Sequence, residues 1–364
     1  MQLLPALDAG GVERSTLEIA QALSRAGHRA LVVSAGGRLL PDLEAAGGTH
    51  LTLDIGRKSL FSLRHVRPLR ALMCEHQPDI VHARSRLPAW LGWLALRGLP
   101  APRPHFVSTV HGLNSVSRYS AIMTRGERVI CVSETVRAHV LTHYPKVDPA
   151  RLRVIERGID PQLFARDFHP DAAWREAFYR DQPVLAGRPW LLLPGRGTRL
   201  KGHAAAIELL ARLRAAGHDT ALLLQGTQEP GRERYLAELR ALAGRLGVAD
   251  ALVLAPPRRD IREVMAEALA VLQLSAKPEA FGRTVAEALS LGTPVLGWKH
   301  GGVGEQLARG FPQGAVPLGD MDALVQRATT WLVEVPRPPA FTPFTLAQMQ
   351  AAVLAVYQEV LDAA

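Results

Sequence analysis

The stretch WLLLPGRGTRLKGH, residues 190–203, contains the pattern that decides the fold. Its first five residues are apolar and predict a short strand buried on both faces. Glycines and cations follow, and residues 204–216 carry the apolar spacing of a helix. A buried strand, a glycine-containing turn and a helix form the repeating unit of parallel sheets. The stretch therefore predicts a doubly wound α/β fold.

The same alternation runs through almost the whole chain. Twelve short, β-rich apolar runs are mostly separated by helical patterns such as 13–26 and 232–246. Twelve strands are too many for one ordinary sheet, and 364 residues are too many for one typical core. We therefore predict two doubly wound, Rossmann-like domains. In chain order the predicted strands are QLLPAL, ALVVSA, HLTLDI, DIVHA, HFVSTV, RVICVS, LRVIE, WLLLPG, TALLLQG, ALVLAP, AVLQLS and PVLGW.

The domain boundaries follow from the place where the strand pattern stops. After LRVIE the chain is irregular and contains prolines, and WLLLPG begins a second set of strands. We place the first domain at 1–165, the second at 166–343 and a terminal helix at 344–364. No strand follows that helix, so we expect its apolar stripe to return to the first domain. The stripe consists of Leu346, Met349, Val353, Val356 and Val360.

Net charge and cysteine content limit the classes of function. The chain has 43 lysines and arginines against 34 acids, a formal charge of +9. No zinc knuckle, aromatic RNA-binding signature or helix-turn-helix pattern is recognisable, so we expect no nucleic-acid partner. A phosphorylated substrate and an anionic membrane surface remain as partners. Only two cysteines, Cys74 and Cys131, and the lack of a secretory leader predict a cytoplasmic protein.

The loops that follow strands form the candidate site, because ligands of such sheets bind beyond the carboxyl ends of the strands. We therefore expect the ligand in a cleft between the two domains. In DAGGVERS, Gly10 and Gly11 precede a helix and permit close approach of a phosphate, although a plain tight turn is an alternative. His111 ends another strand, and a structural histidine is the alternative there. Because the first strand begins almost at Met1, one hypothesis is that the natural start lies upstream.

Two further loops carry charged residues. Arg196 and Lys201 flank glycines before a helix, which suits a diphosphate, although solvated surface charge is the alternative. In PEAFGRTVAEAL, residues 278–289, we expect Glu279 in a loop and Glu287 inside the following helix. The amides of 281–284 would meet phosphates at the helix start. The Glu287 carboxylate could accept paired hydrogen bonds from a vicinal diol such as that of ribose. The spacing therefore fits a nucleotide sugar.

With these motifs in this order, the chain resembles the retaining glycosyltransferases of the GT-B fold, glycosyltransferase family four. The resemblance covers nearly the whole chain: GGVER, VHG, GRGTRLKGH, and the two glutamates with EALSLGTPV. One departure is Ala280, where the family often has glycine. The resemblance implies a nucleotide-diphosphate sugar as donor and a saccharide acceptor. The segments SAGGRL and VHARSR are similar to bacterial transferases of the lipopolysaccharide core and other surface glycans.

The resemblance also implies catalytic roles for four residues. Arg196 and Lys201 would neutralise the diphosphate as it leaves, which stabilises the transition state more than the ground state. Glu279 would hold hydroxyls of the donor sugar, and His111 would lie beside that sugar. The family is thought to use same-face attack, so Glu279 is not assigned as a nucleophile. The further donor contacts would be Gly10 and Gly11 in the first loop, Glu287 at the ribose, and the amides of Phe281, Gly282, Arg283 and Thr284.

No cofactor and no metal are implied. Asp320 and Asp322 match the D-x-D pattern of metal-dependent glycosyltransferases. However, Asp320 follows Gly319 and opens a predicted helix, so we expect it to cap that helix.

The acceptor is expected on the first domain, where basic and aromatic residues occur together. They suit an anionic, lipid-linked saccharide at the inner membrane face, and hence a peripheral enzyme. Buried tryptophans and solvated arginines are the alternative. The residues concerned are Arg84 and Arg86 at the acceptor, Trp90 and Trp93, and a basic helix from Lys58 with Arg64, Arg67 and Arg70.

Two other functions remain open from the sequence. A nucleotide-sugar epimerase of the same fold would convert the donor without an acceptor. A non-catalytic, basic membrane or nucleic-acid binder would not need both Glu279 and Glu287. A nicotinamide dehydrogenase is disfavoured because the first turn lacks the dinucleotide-binding fingerprint.

Overall fold

The structure, a computed structural model, describes residues 1–8, 10–57, 59–340 and 343–363. The chain divides into two compact units. The first unit comprises Met1–Gly158 and Thr345–Ala364, and the second comprises Ile159–Phe344. The domain boundary predicted from the sequence lies at residue 165. Lys58, where the predicted basic helix starts, lies outside the described residues.

A parallel sheet of seven strands forms the centre of the first unit. The strands are β1 (Gln2–Leu3), β2 (Ala30–Ser34), β3 (Gly48–Thr52), β4 (Ile80–Ala83), β5 (His105–Val110), β6 (Arg128–Cys131) and β7 (Leu152–Val154). Their order is β3-β2-β1-β4-β5-β6-β7. The direction of strand addition changes at β1, so the crevice beyond the carboxyl ends of β1 and β4 is the expected ligand position.

The second unit has a parallel sheet of six strands. These are β8 (Trp190–Pro194), β9 (Ala221–Gln225), β10 (Leu252–Ala255), β11 (Ala270–Gln273), β12 (Val295–Trp298) and β13 (Ala315–Val316). Their order is β10-β9-β8-β11-β12-β13, so the order changes direction between β8 and β11. All five residues of β8 are buried. The predicted pair of doubly wound parallel sheets is confirmed.

Helices cover both sheets. They are α1 (Gly11–Arg25), α2 (Leu40–Ala45), α3 (Val66–His76), α4 (Arg86–Arg97), α5 (Glu134–His143), α6 (Ala172–Asp181), α7 (His203–Ala215), α8 (Glu233–Arg245), α9 (Ile261–Glu267), α10 (Arg283–Leu291), α11 (Gly301–Gly310), α12 (Met321–Val333) and α13 (Leu346–Asp362). Short 3-10 helices include Leu60–His65 and Arg199–Lys201. The predicted basic helix is therefore two elements, because Leu60–His65 precedes α3.

One strand is shorter than predicted, and another was not predicted. QLLPAL forms only the two-residue β1, because Pro5 has no amide hydrogen for a ladder and the chain then turns. The two-residue β13 was not predicted, because so short a run has no detectable period. It pairs with β12 through Gly297 and Ala315.

The terminal helix α13 belongs to the first unit, as its apolar stripe predicted. Five of its residues pack in one buried cluster with Ile19, Val107, Ile130 and Ile155. A capping box of Thr345 and Gln348 starts the helix. The helix residues in the cluster are Met349, Val353, Val356, Tyr357 and Val360.

Candidate active site

The loop after β8 carries Arg196 and Lys201 at the carboxyl edge of the second sheet. Gly202 follows Lys201 with φ +79°. A Cβ at Gly202 would lie 1.9 Å from the carbonyl oxygen of Leu274, so only glycine fits. The loop therefore packs directly against the chain that leaves β11.

Lys201 and Glu279 meet although 78 residues separate them in the chain. Nζ of Lys201 lies 2.6 Å from Oε1 of Glu279, and the Ser275 hydroxyl donates to the same oxygen. The Ala276 amide joins the two loops by donating to the Leu200 carbonyl at 2.8 Å. A cation, a carboxylate and a hydroxyl therefore converge beyond the carboxyl ends of β8 and β11.

Helix α11 holds the Glu279 loop in shape. The Gly302 amide donates to the Glu279 carbonyl at 2.8 Å. Gly301 has φ +58°, and a Cβ there would lie 2.8 Å from the same carbonyl oxygen. The buried Gln306 side chain donates to the Gly282 carbonyl at 3.1 Å. These contacts fix the backbone that presents the Glu279 carboxylate.

Gly282 marks the start of α10. It has φ +85°, and a Cβ there would lie 2.8 Å from Cγ2 of Val303. Among the residues that the structure describes, no side chain caps this helix by a hydrogen bond. The amides of Arg283 and Thr284 lie in its first turn, where a helix leaves N–H groups without intrahelical acceptors. The helix start therefore offers partial positive charge beside the Glu279 loop.

Glu287 lies inside α10 and is only 5% exposed. Its Oε1 is 3.1 Å from Nε of Arg283, one turn earlier. A buried carboxylate needs such a partner, because an isolated charge is costly to remove from water. The predicted placement of Glu279 in a loop and Glu287 in a helix is confirmed.

The first unit has a cavity of about 230 Å³ at the carboxyl edge of β4 and β5. Arg84, Arg86 and His111 line it together with Val12 and Asn114. The two arginines are held in place: Arg84 Nε donates to Gln2 Oε1 at 2.6 Å, and Arg86 Nη1 donates to Ser120 Oγ at 3.2 Å. Three residues predicted from two separate segments, one after β4 and one after β5, thus line one cavity.

The N-terminus of α1 lies near this cavity. Gly10 has φ +140°, which favours glycine. A Cβ on Gly11 would meet none of the described atoms within 4 Å. Open space above Gly11 leaves room for a ligand to approach the backbone.

Beside the cavity, His111 is surrounded by positive charge. Arg157 and Arg84 both donate to the hydroxyl of Ser15, at 2.6 and 3.0 Å. Arg157 also contacts Nδ1 of His111. Burial, and then Arg157, Arg84 and His82, lower the pKa of His111 well below 6.5. The imidazole is therefore neutral at physiological pH.

A second histidine of the first unit, His82, is buried. His82 Nδ1 is 2.6 Å from the Tyr357 hydroxyl of α13, and its Nε2 is 2.7 Å from Oγ1 of Thr109. Burial and the nearby cations lower the pKa of His82 well below 6.5. The terminal helix thus contributes a polar group to the layer beneath the cavity.

Family models match both halves of this fold. The model for Glycosyltransferase Family 4 matches residues 9–163, and the model for Glycosyl transferases group 1 matches residues 175–339. The chain belongs to these glycosyltransferases. The fold is GT-B, as the resemblance implied.

Named relatives of this glycosyltransferase support the family. The D-inositol 3-phosphate glycosyltransferase of Xylanimonas cellulosilytica is 27% identical over 329 residues, which cover 81% of this chain and 77% of the relative. A glycosyltransferase structure from Rickettsia africae ESF-5 has a TM-score of 0.83 at 26% identity, over 99% of this chain and 97% of that one. HepE of Anabaena with UDP-glucose has a TM-score of 0.77 at 20% identity, over 98% of both chains, which shows the fold alone.

The two aspartates of the D-x-D pattern have structural partners in the glycosyltransferase. Asp320 caps α12 by accepting from the Ala323 amide at 2.9 Å, as predicted. Asp322 pairs with Arg212 at 2.6 Å. Within the described residues, no group of three His, Cys, Asp or Glu side chains could hold a metal. No helix in the described part of the chain is long and apolar enough to cross a membrane.

Several site residues were not predicted from the sequence. Ser275 and Gln306 have no motif of their own, and only the glycine pair after β12 signals the turn at α11. Arg157 contacts His111 and donates to Ser15 through tertiary packing, which no local pattern records.

Proposed function

We propose that this glycosyltransferase moves a sugar from a nucleotide-diphosphate donor to a saccharide acceptor, with retention and without a metal. The convergence of Lys201 and Glu279 at the start of α10 carries the proposal. This arrangement combines a cation for a leaving phosphate, amides at a helix start and a carboxylate for sugar hydroxyls.

The donor would replace the ion pair between Lys201 and Glu279 within the second unit. Its diphosphate would take Lys201 from Glu279, and Arg196 would add a second cation. Glu279, freed from that ion pair, would accept hydrogen bonds from hydroxyls of the donor sugar. Glu287 would accept the ribose hydroxyls, and the amides of residues 281–284 would meet the phosphates.

Retention would follow from same-face attack rather than from a covalent intermediate. Glu279 is held by Lys201 and Ser275 and serves hydroxyls in this proposal. In the first unit, His111 would hydrogen-bond to the transferred sugar. Arg84 and Arg86 would meet the acceptor, because both line the cavity that includes His111.

A thermal-shift screen of UDP, GDP, ADP and their sugars tests donor binding. We expect one nucleoside diphosphate to raise the melting temperature, and E287A to remove that shift. The exposed Glu176 on α6 provides the matched control, E176A, which should keep the shift. Absence of a shift with any nucleotide would contradict the proposal. NMR of the product with that donor would then give the anomeric configuration.

We also propose a lipid-linked, surface-glycan acceptor, such as lipopolysaccharide, at the cytoplasmic face of the inner membrane. The support is an exposed segment in the first unit. Phe61 is 80% exposed and Leu63 is 55% exposed, and the exposed Arg57, Arg64 and Arg67 surround them. No acid occurs in residues 55–74. Apolar side chains among cations suit an anionic bilayer.

Vesicle sedimentation tests the membrane proposal. The protein should bind phosphatidylglycerol vesicles at low salt, and high salt should release it. F61S should weaken binding. V333S, at the 82% exposed Val333 of the second unit, is the control and should bind normally. No binding at low salt would remove the membrane proposal and leave donor binding untouched.

A further inference from the structure

Arg157 has no role in the chemistry described so far, yet it touches a proposed catalytic residue. It follows β7, and it is only 9% exposed. One of its nitrogens, Nη1, donates to Ser15 Oγ at 2.6 Å, while Nη2 contacts Nδ1 of His111 and lies 3.4 Å from Nε2 of the same ring. Arg157 therefore joins the chain after β7 to α1 and to the chain after β5.

The orientation of the Arg157 guanidinium is fixed by its neighbours. Ser15 is fully buried and also accepts from Nη1 of Arg84 at 3.0 Å. Arg84 is in turn held by Gln2, at 2.6 Å from its Nε. Two planar guanidinium groups thus converge on one hydroxyl, and neither can turn without breaking buried hydrogen bonds.

This contact determines where the proton of His111 lies. A guanidinium has only donors, so the nitrogen that it meets must present a lone pair. Nδ1 of His111 is the nearer of the two ring nitrogens to Nη2 and is therefore the acceptor. In a neutral imidazole the single proton then lies on Nε2.

We propose that Arg157 is a positioning residue that fixes His111 as the Nε2–H tautomer, so that His111 donates a hydrogen bond to a substrate hydroxyl and is not a general base. With Nδ1 engaged and Nε2 protonated, the ring has no lone pair left to accept a proton. This inference rests on the proposed function, which places His111 beside the transferred sugar.

The charges around His111 favour the same state. The groups that face it are Arg157 after β7, and Arg84 and His82 at the end of β4. The arginines, together with burial, disfavour the imidazolium. His111 thus stays neutral, and the cation in this part of the site is the guanidinium.

The tautomer is measured without any substrate, by two-bond nitrogen–proton NMR of protein labelled with ¹⁵N-histidine. The variant H111Q identifies the signal. We expect wild-type His111 to be protonated on Nε2 from pH 7 to pH 6. R157Q should give a mixture of tautomers and a higher pKa, while R157K, which keeps one charged donor, should keep Nε2–H. R137Q, on the surface helix α5, is the control and should leave the signal unchanged.

A wild-type signal from the Nδ1–H tautomer, or an unchanged tautomer in R157Q, would overturn the inference.

Transfer from the donor found in the thermal-shift screen adds a second measurement. R157Q should lower kcat about tenfold, with a much smaller change in KM for the donor. In the H111Q background, R157Q should lower kcat no further, so that H111Q/R157Q is no slower than H111Q. Independent effects of the two substitutions would contradict the coupling. Because the NMR result needs no nucleotide, it can fail while donor binding stands.

Discussion

The polar groups of the two units are arranged in opposite ways. In the second unit, the pair at the proposed diphosphate site has opposite charges that water still reaches: the side chains of Lys201 and Glu279 are 30% and 20% exposed. In the first unit, two buried arginines and two neutral histidines are joined mainly through hydroxyls and an amide. The residues that line the cavity of this unit include no carboxylate.

This difference suggests different tasks. A partly exposed ion pair contributes little to stability. Lys201 can therefore leave Glu279 and bind a charged ligand at a small cost in free energy. Buried hydrogen bonds to cations and neutral rings are costly to break, and they hold side chains in one geometry. The second unit is therefore suited to capture a diphosphate, and the first to orient groups before the substrate arrives.

The largest effect is expected from K201A. Loss of the cation that meets the leaving diphosphate should lower turnover roughly a hundredfold, about 3 kcal/mol. The melting temperature should change little, because Lys201 is partly exposed. Lys277, exposed on the loop after β11, provides the control K277A, which should retain activity. Near-normal turnover in K201A would contradict the proposal that Lys201 binds the leaving diphosphate.

Acid should destabilise the first unit more than the second. His82 and His111 have pKa values well below 6.5, and burial lowers the pKa of His203 in the second unit to about 4. Below pH 6.5 the unfolded chain binds protons that the folded chain does not, so the free energy of unfolding decreases as the pH is lowered. Each histidine contributes roughly 1.4 kcal/mol per pH unit until its folded pKa is reached.

Urea unfolding between pH 7 and pH 5 measures this effect. H82N should reduce the slope of the free energy of unfolding against pH by the equivalent of about one proton. An identical slope in H82N would show that His82 is charged in the folded protein.

Two tyrosine substitutions compare the buried histidines directly. Y357F leaves Nδ1 of the buried His82 without its 2.6 Å partner and should lower the free energy of unfolding by about 1–3 kcal/mol. Y235F removes the hydroxyl 3.4 Å from Nδ1 of His203 in the second unit, where the bond is long, so its effect should be smaller. Chemical denaturation measures the free energy of unfolding of both variants. Equal losses in Y357F and Y235F would contradict the expected difference between His82 and His203.

The smallest effect concerns the D-x-D pattern. D320A removes the cap of α12 and should cost about 1 kcal/mol of stability. D322A removes a side chain from the surface and should cost less. Both variants, and the wild type with a chelator, should keep full turnover. Loss of turnover in the chelator would show a metal requirement.

Local patterns predicted much of the fold and part of the site. The apolar run at 190–194, the stripe of α13 and the glycine at the start of α10 all lie where spacing and composition placed them. Short elements escaped, since β1 and β13 have only two residues each. Pro5 ends β1 because it has no amide hydrogen to donate to a neighbouring strand. Whether that missing donor matters depends on which strand lies beside it, and the sequence does not show this.

The sequence by itself determined the alternation of buried strands and helices, the glycine-containing turns and the charged residues that follow them. These properties depend on neighbours within a few residues, so the local spacing suffices. Only the tertiary structure decided the partners. His111 and Arg157 are separated by 46 residues, Lys201 and Glu279 by 78, and His82 and Tyr357 by 275. Packing of the sheets and of α13 brings them together, and that packing determines which groups are buried, which tautomer is held and which charges are neutralised.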